Sequence, residues 1–333
     1  MMLLALAAAL LAPHPGKLHL YKDWIVGCDN TRSCEAVALV PEDGDPGDYL
    51  MLTVTRDGVP GAVATLDVPL PDHTPVGARY YLTIDGKSPT LIWASTDLEA
   101  NVLLTRGLLD TLAAGSQIAL TNAQGKTIAT ASLGGLAASL LAIDDQQGRV
   151  GTSAALKAVG TKPDVASAPA KPLIVVPARS NHPARTITAA MATKLIGPDN
   201  AKCEYSNGKV APESWRLDNA HTAVVINHPC GNGAYNFFSS VYILDESGPP
   251  HPAAFDADPG MGEAGDTDLT NGGWDPKTQR ITSYAKGRGI GDCGTLQSYA
   301  WDGTRFRLSQ RTEMSECRGS VNFIRTWTAR VPR

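Results

Sequence analysis

YLMLTVTRDG (49–58), AVATLDVPL (62–70), ARYYLTIDG (78–86) and TLIWAS (90–95) follow one another with only a few residues between them. Each run is rich in β-branched and aromatic residues and is bounded by Gly, Pro or Asp, the pattern of strands joined by turns. An antiparallel sheet or sandwich is the expected arrangement. Before these runs, Trp24-Ile25-Val26-Gly27-Cys28 and SCEAVALV (33–40) add further strands. After them Leu98, Val102, Leu103, Leu109 and Leu112 recur at helical spacing, which predicts one helix over 96–114 with Thr96 as its N-cap and Gly115 beyond its end. SQIALTN and KTIATASL flank a turn at Ala123-Gln124-Gly125 and predict a hairpin. Two helical stretches are expected within 136–159, the first over 136–143 and the second over 153–159.

From Gly160 to Arg185 the chain reads GTKPDVASAPAKPLIVVPARSNHPAR, with five prolines and little periodicity. Proline removes N–H donors and biases its neighbours toward extended backbone, so this segment is expected to be a semi-rigid linker. Beyond it, a short helix near Thr188–Ile196 precedes KCEYSN, TAVVINHPC, NFFSSVYILD, ITSYAKG, LQSYAWDG, RFRLSQRTE and VNFIRTWTARV, which read almost wholly as strands. The expected fold is mainly β with a few short helices (α+β): two compact β-rich domains, 17–159 and 186–333, joined by a Pro/Ala-rich linker over 160–185.

The 333 residues are 43% apolar and 19% charged, a composition that buries real cores and excludes disorder of the whole chain. Net charge is −4, which offers no bulk attraction to nucleic acid. Leu3–Ala12, LLALAAALLA, is too short to span a bilayer of about 30 Å but matches the apolar part of a signal peptide over residues 1–16, although Met1 and Met2 supply no positive n-region. No later segment is long and apolar enough to span, so a periplasmic or secreted product with no transmembrane segment is expected.

Six cysteines make the same argument independently. Cys28, Cys34, Cys203, Cys230, Cys293 and Cys317 form no CxxC pair. Of the fifteen connectivities they allow, the sequential one closes only short loops and never crosses the linker.

The segments DWIVGCDNTRSCEAVAL (23–39), KGRGIGDCG (286–294) and YAWDGTRFRL (299–308) resemble the bacterial family labelled domain of unknown function 1176 over most of the mature chain. The N-terminal half also resembles the invasion-associated locus B proteins, over less than half of the chain. The resemblance implies an exported, disulfide-bearing bacterial protein and implies no activity.

Strong catalytic signatures are missing. No GxSxG or HExxH occurs. The GK[ST] tripeptides at 86–88 and 125–127 lack the upstream glycine of a phosphate loop, with Tyr81 and Leu120 in its place. Gly287-Arg288-Gly289-Ile290-Gly291-Asp292 imitates a dinucleotide fingerprint, but no βαβ unit surrounds it, and no cofactor is expected. That segment is still the best candidate ligand site. Gly287, Gly289, Gly291 and Gly294 let backbone N–H groups form an anion nest, Lys286 and Arg288 add charge, and Asp292 closes the run. The competing reading is an irregular loop pinned by Cys293, with Arg288 in a structural hydrogen-bond network.

Eight acids and no Lys or Arg fall between Tyr242 and Asp275, while ten basic and four acidic residues fall between Arg280 and Arg333. Pairing of the acidic loop with the basic strands is one consequence. Asp266, Asp268 and Asn271 are a weak calcium candidate, because the spacing misses the EF-hand pattern. His221 and His228 with Cys203 and Cys230 are a zinc candidate set aside, because the cysteines are assigned to a bridge. Trp274, Trp301 and Trp327 are assigned to the core in preference to a sugar platform. The functional expectation leans against an enzyme. A binding or envelope-associated module with an envelope or extracellular partner and no nucleic acid is favoured. The alternative is a hydrolase or transferase on envelope polysaccharide or peptidoglycan, using Asp292, Arg288 and an acid of the 256–268 loop.

Overall fold

The computed structural model describes residues 12–44, 47, 49–96, 98–204, 206, 209–261 and 267–332. Most of the expected signal segment and Asp266 fall outside them. The fold is mainly β, with four sheets and four short helices among the described residues.

In the first half the strands are β1 (His19–Tyr21), β2 (Trp24–Cys28), β3 (Cys34–Ala38), β4 (Thr53–Arg56), β5 (Ala64–Pro69), β6 (Arg79–Ile84), β7 (Lys87–Trp93), β8 (Glu99–Leu103), β9 (Gln117–Asn122) and β10 (Thr127–Ser132). They make two antiparallel sheets ordered β1-β2-β3-β4-β5-β8 and β10-β9-β6-β7. In β5 Ala64, Leu66 and Val68 are buried while Thr65 and Asp67 are half-buried, as one-sided packing requires. Trp24, Leu66, Leu82, Ile118 and Leu140 belong to one core shared by both sheets and by helices α1 (Arg106–Ala114) and α2 (Leu136–Gln146).

Of the three helices expected in this half, the one over 136–143 forms as α2, and the other two need correction. Helix α1 starts at Arg106 with Thr105 as its N-cap, not at Thr96. The Thr96 Oγ1 does accept two backbone N–H groups, from Leu98 and Glu99, but the chain then continues as β8, whose pairing with β5 buries Ala100 and leaves Leu98 and Leu103 exposed. Residues 153–159 form no helix. The Asp144 carboxylate takes the N–H groups of Leu156, Lys157 and Ala158 at 2.6, 2.7 and 3.0 Å, so these are unavailable to a helical ladder.

In the second half α3 (Ala189–Ile196), capped by Thr188, and α4 (Pro198–Ala201) lead into the third sheet. That sheet comprises β11 (Pro212–Arg216), β12 (Thr222–Asn227), β13 (Phe238–Leu244), β14 (His251–Pro252) and β15 (Leu269–Thr270). The fourth sheet runs β16 (Gly273–Asp275), β17 (Arg280–Lys286), β18 (Gly294–Trp301), β19 (Phe306–Met314), β20 (Ile324–Thr328) in simple up-and-down order. Val241, Ile243, Tyr299, Phe306 and Leu308 form the core between them. Trp301 is buried, and Trp274 and Trp327 pack against that core.

A further core, of Ile25, Val37, Leu39, Cys293, Met314 and Ile324, draws on both halves of the chain. Arg325 Nε donates to Asp29 at 2.7 Å, and Asn30 exchanges two hydrogen bonds with the Thr328 backbone. The 160–185 segment is tied down at several points: Arg149 pairs with Asp164 at 3.2 Å, Ile174 and Pro172 bond to the Arg330 backbone, and the Arg185 N–H donates to Thr222 Oγ1 at 3.2 Å.

Candidate functional site

Strands β17 and β18 are joined by the loop 287–293, which carries the glycines singled out by sequence. Gly294 adopts φ +136°, and a Cβ there would lie 2.1 Å from the Ala285 carbonyl oxygen. A Cβ on Gly287 would lie 2.6 Å from Cys293 Sγ, so the loop backbone can pack against the Cys293–Cys317 disulfide only without a side chain. The other bridges are Cys28–Cys34 and Cys203–Cys230, the sequential pairing expected.

The loop closes mainly upon itself. The Gly287 N–H donates to Cys293 O and the Gly291 N–H to Arg288 O, so neither is offered to an anion nest. Arg288 spends its fork on Asp292: Nε donates to Oδ1 at 2.6 Å and Nη2 to Oδ2. The Gly319 N–H adds a third bond to Asp292, at 2.8 Å. The Arg288 guanidinium holds the Asp292 carboxyl below the ordinary carboxylate range, against the opposing effect of burial and with help from Gly319. Ion pair and disulfide together brace the loop, in line with the structural network weighed above for Arg288. A Cβ on Gly289 would meet the Tyr235 ring at 3.5 Å, an ordinary contact distance.

Beside this loop opens a cleft of about 400 Å³, lined by Lys286, Gly287 and Gly294, by Thr295 and Gln297 from β18, by Arg311 from β19, and by Asp258, Gly260 and Met261. The Asp258 carbonyl accepts Gln297 Nε2 at 3.0 Å and the Tyr299 hydroxyl at 3.1 Å, which fastens the 258–261 segment against β18. Burial pushes the Tyr299 phenol well above its ordinary pKa, so it stays a donor. The Lys286 ammonium lies 5.6 Å from the Tyr284 ring centre. Arg311 Nη2 pairs with Glu313 at 2.9 Å, whereas its Nε is buried without a hydrogen-bond partner. Two cations thus border one small polar cleft, a composition suited to a carboxylate or phosphate.

A model of the family described as protein of unknown function (DUF1176) matches residues 18–330. The chain belongs to that family. This DUF1176 member is 26% identical over 326 residues to "Uncharacterized protein YpfG" of Escherichia coli (strain K12), with 89% of this chain and 88% of that protein covered. Among solved structures it matches invasion associated protein b from Bartonella henselae at 15% identity and a TM-score of 0.32, over 40% of this chain and 99% of that one.

Of the calcium candidates in the DUF1176 chain, Asp268 and Asn271 fall among the described residues and each is engaged in protein hydrogen bonds. Asp268 Oδ1 accepts the Ser240 hydroxyl at 2.6 Å. Asn271 is held in the left-handed region (φ +45°) as a structural knot: its Oδ1 accepts the Phe237 N–H and its Nδ2 donates to Tyr235 O, Asn236 Oδ1 and Tyr284 O. His228 is buried and bonds Ser240 Oγ at 2.7 Å, far from any role with the disulfide-bonded Cys203 and Cys230. The acidic loop and basic strands do pair, through Asp256 and Arg307 at 2.8 Å.

Sequence reasoning missed Arg311 and Gln297, and held Asp258 only as one acid of the 256–268 loop. Their meeting depends on a β-bulge between Ser298 and Tyr299, which puts Gln297 opposite Arg311 instead of Gln310. A one-residue slip moves a side chain to the other face of a strand, so hairpin counting from Trp301-Asp302-Gly303 points Arg311 away from the cleft.

Proposed function

We propose that this protein is an exported, non-enzymatic binding module of the cell envelope, built as two β-rich bodies around the 160–185 segment, that takes an anionic ligand in the cleft between Lys286 and Arg311. The observation that carries the reading is the pairing of two cationic side chains across one cleft of about 400 Å³, with a buried guanidinium Nε–H that has no protein acceptor. Export is supported by the apolar run Leu3–Ala12 and by three disulfides, which persist in oxidising compartments. No helix among the described residues is long and apolar enough to cross a membrane.

The hydrolase alternative needs Asp292, Arg288 and an acid of the 256–268 loop to converge. Asp292 lies just before β18, whereas Asp256 bonds Leu308 N and Phe306 O at the hairpin end of that strand. Gly294 to Ala300, whose partner Arg307 lies between the two residues that Asp256 bonds, is six steps of about 3.4 Å, so the backbones carrying the two acids stand on the order of 20 Å apart. Asp256 is therefore not the partner of Asp292, and Glu263 and Asp266 of the same loop lie outside the described residues.

The test is capture of purified envelope fragments, anionic polysaccharide and peptidoglycan muropeptides in separate arms, by the disulfide-bonded full chain. Wild type is expected to retain one of these classes, and Lys286→Ala and Arg311→Ala to lose it while keeping the wild-type far-ultraviolet circular dichroism. Retention unchanged in both variants, or no retention by wild type, overturns the proposal.

A further inference from the structure

A second cavity, of about 480 Å³, opens on the fourth sheet and shares no lining residue with the Lys286–Arg311 cleft. Leu308 from β19, Trp327 from β20 and Ala329 beyond it form its sheet side. Two segments outside the sheet complete it. Residues 172–175 are held there by the Ile174 N–H, which donates to Arg330 O at 2.9 Å, and by the Arg330 N–H, which donates to Pro172 O at 2.8 Å. Pro13 and His14 also line it, just before Gly16, whose N–H donates to Thr326 O at 2.9 Å. The Trp327 indole is fixed in the lining by its own bond, from Nε1 to the Leu308 carbonyl at 3.0 Å.

Most of the lining is apolar, and part of it stays in contact with water. Leu173 is 40% exposed and Val175 68% exposed, an apolar run within the Pro/Ala-rich 160–185 segment. Leaving such surface in water is unfavourable, and an apolar ligand would cover it. A concave, largely apolar cavity with a few placed polar groups is the usual form of a small-molecule site, and this one falls in the usual range of size.

The charged groups in the lining are Asp256, Asp302 and Arg307. Asp256 is fully engaged: Oδ1 accepts the Leu308 N–H at 2.7 Å and Oδ2 pairs with Arg307 Nε at 2.8 Å. Asp302 is engaged on one side only. Its Oδ1 accepts the Thr304 N–H and hydroxyl at 2.8 Å each and the Arg305 N–H at 2.9 Å, whereas among the described residues Oδ2 accepts no hydrogen bond and has Arg307 Nη1 at 3.9 Å. With His14 counted as neutral, two carboxylates against one guanidinium leave one negative charge in excess. The neighbouring Arg305 and Arg330 are exposed and do not line the cavity. A carboxylate brought to Arg307 would meet Asp302 as well, so the charge balance favours a cation.

We propose that this cavity binds a small organic ammonium ion with an apolar body, its ammonium at Asp302 Oδ2 and its body against Leu308, Trp327 and Leu173. An ammonium supplies the N–H donors that the open carboxylate oxygen lacks, and a charge-assisted bond of this kind is stronger than a neutral one. The site goes beyond the anionic-ligand reading of the Lys286–Arg311 cleft and does not depend on it.

The test is calorimetric titration of the disulfide-bonded full chain with phenethylammonium and with two probes of similar size, neutral 2-phenylethanol and anionic phenylacetate. One phenethylammonium per chain is expected, bound about tenfold or more tightly than either of the others. Asp302→Asn keeps an oxygen for the Thr304 and Arg305 N–H groups while removing the charge, and should weaken phenethylammonium binding by about tenfold or more. Val175→Lys places a like charge at a solvent-exposed lining position, where the fold does not depend on it, and should weaken the same binding in a salt-dependent way. Phenylacetate bound as tightly as phenethylammonium overturns the proposal and assigns the cavity to carboxylates at Arg307. No saturable binding of phenethylammonium, or an affinity unchanged in both variants, also overturns it.

Discussion

Arg318 and Asp23, 295 residues apart in sequence, meet through a hydrogen-bonded ion pair of 2.6 Å, Nη2 to Oδ1. The same guanidinium donates to the Val40 carbonyl at 2.7 Å and the Lys22 carbonyl at 2.8 Å, and the Val40 N–H returns a bond to Arg318 O. One side chain therefore satisfies three acceptors in the first half of the chain from a position in the last strand region. Beside it lies the shared core of Ile25, Leu39, Met314 and Ile324.

Arg318→Ala is expected to lower stability by about 2–4 kcal/mol, because three charge-assisted bonds are lost and their acceptors are only partly reached by water. Urea unfolding followed by tryptophan fluorescence measures this. If the two halves of the chain unfold separately once this seam is weakened, the variant should also broaden into two transitions. A midpoint equal to wild type would remove Arg318 from the energetics of the seam.

Asp144 carries a comparable burden inside the first half. It is fully buried, caps three backbone N–H groups of the 156–158 loop, and lies 3.6 Å from the buried Arg56 guanidinium. Burial, then repulsion from Arg149, brings the Arg56 pKa down to about 10, with Asp144 acting in the opposite direction. Asp144→Ala leaves a buried cation and three N–H groups without this acceptor, and is expected to cost about 3–5 kcal/mol. Asp144→Asn keeps one acceptor oxygen and should fall between. Thermal unfolding of the two variants settles the order, and equal melting temperatures for Ala and wild type would refute the role.

What was legible in the chain follows from these same contacts. The strands of 49–95 are local, since β-branched content and turn residues specify them within a few positions, and the strands form where expected. Helix 188–196 was legible because Thr188 caps it directly. The 153–159 segment was not, because its N–H groups are claimed by Asp144 from a neighbouring helix, a tertiary fact with no local trace. Arg311 was hidden by a bulge. The glycine run stood out in the text, yet its visible feature, Arg288 with Asp292, is a brace. The cation of that region that borders the cleft is Lys286, at its edge.

The disulfides give a chemical test of the covalent frame. The native chain should show no free thiol, and six after denaturing reduction. Peptide mapping should recover Cys28–Cys34, Cys203–Cys230 and Cys293–Cys317. Replacing Cys203 and Cys230 together by alanine opens a loop of sequence separation 27 and is expected to cost about 3.5 kcal/mol on the chain-entropy estimate. Any peptide linking a cysteine before residue 160 to one after 200 would contradict the frame.

Opposite pH responses are expected from Asp292 and Glu35. The Asp292 carboxyl is held below 3.8 by Arg288, against burial and with Gly319 assisting, so its contribution is present above that value and is lost as pH falls through the folded-state pKa. Glu35 is pushed above 4.5 by burial, which outweighs the hydrogen bond from the Arg325 N–H. Its contribution is present below 4.5 and is lost as pH rises through the raised value. Denaturant midpoints from pH 3 to 7 should therefore show wild type losing ground to Glu35→Gln as pH rises. Against Asp292→Asn, wild type should gain ground across the bottom of the same range. The Gln side chain still offers an oxygen to Arg325 N–H, so Glu35→Gln isolates the cost of a buried charge. Parallel curves for wild type and Glu35→Gln would mean that Arg325 and solvent fully compensate that charge.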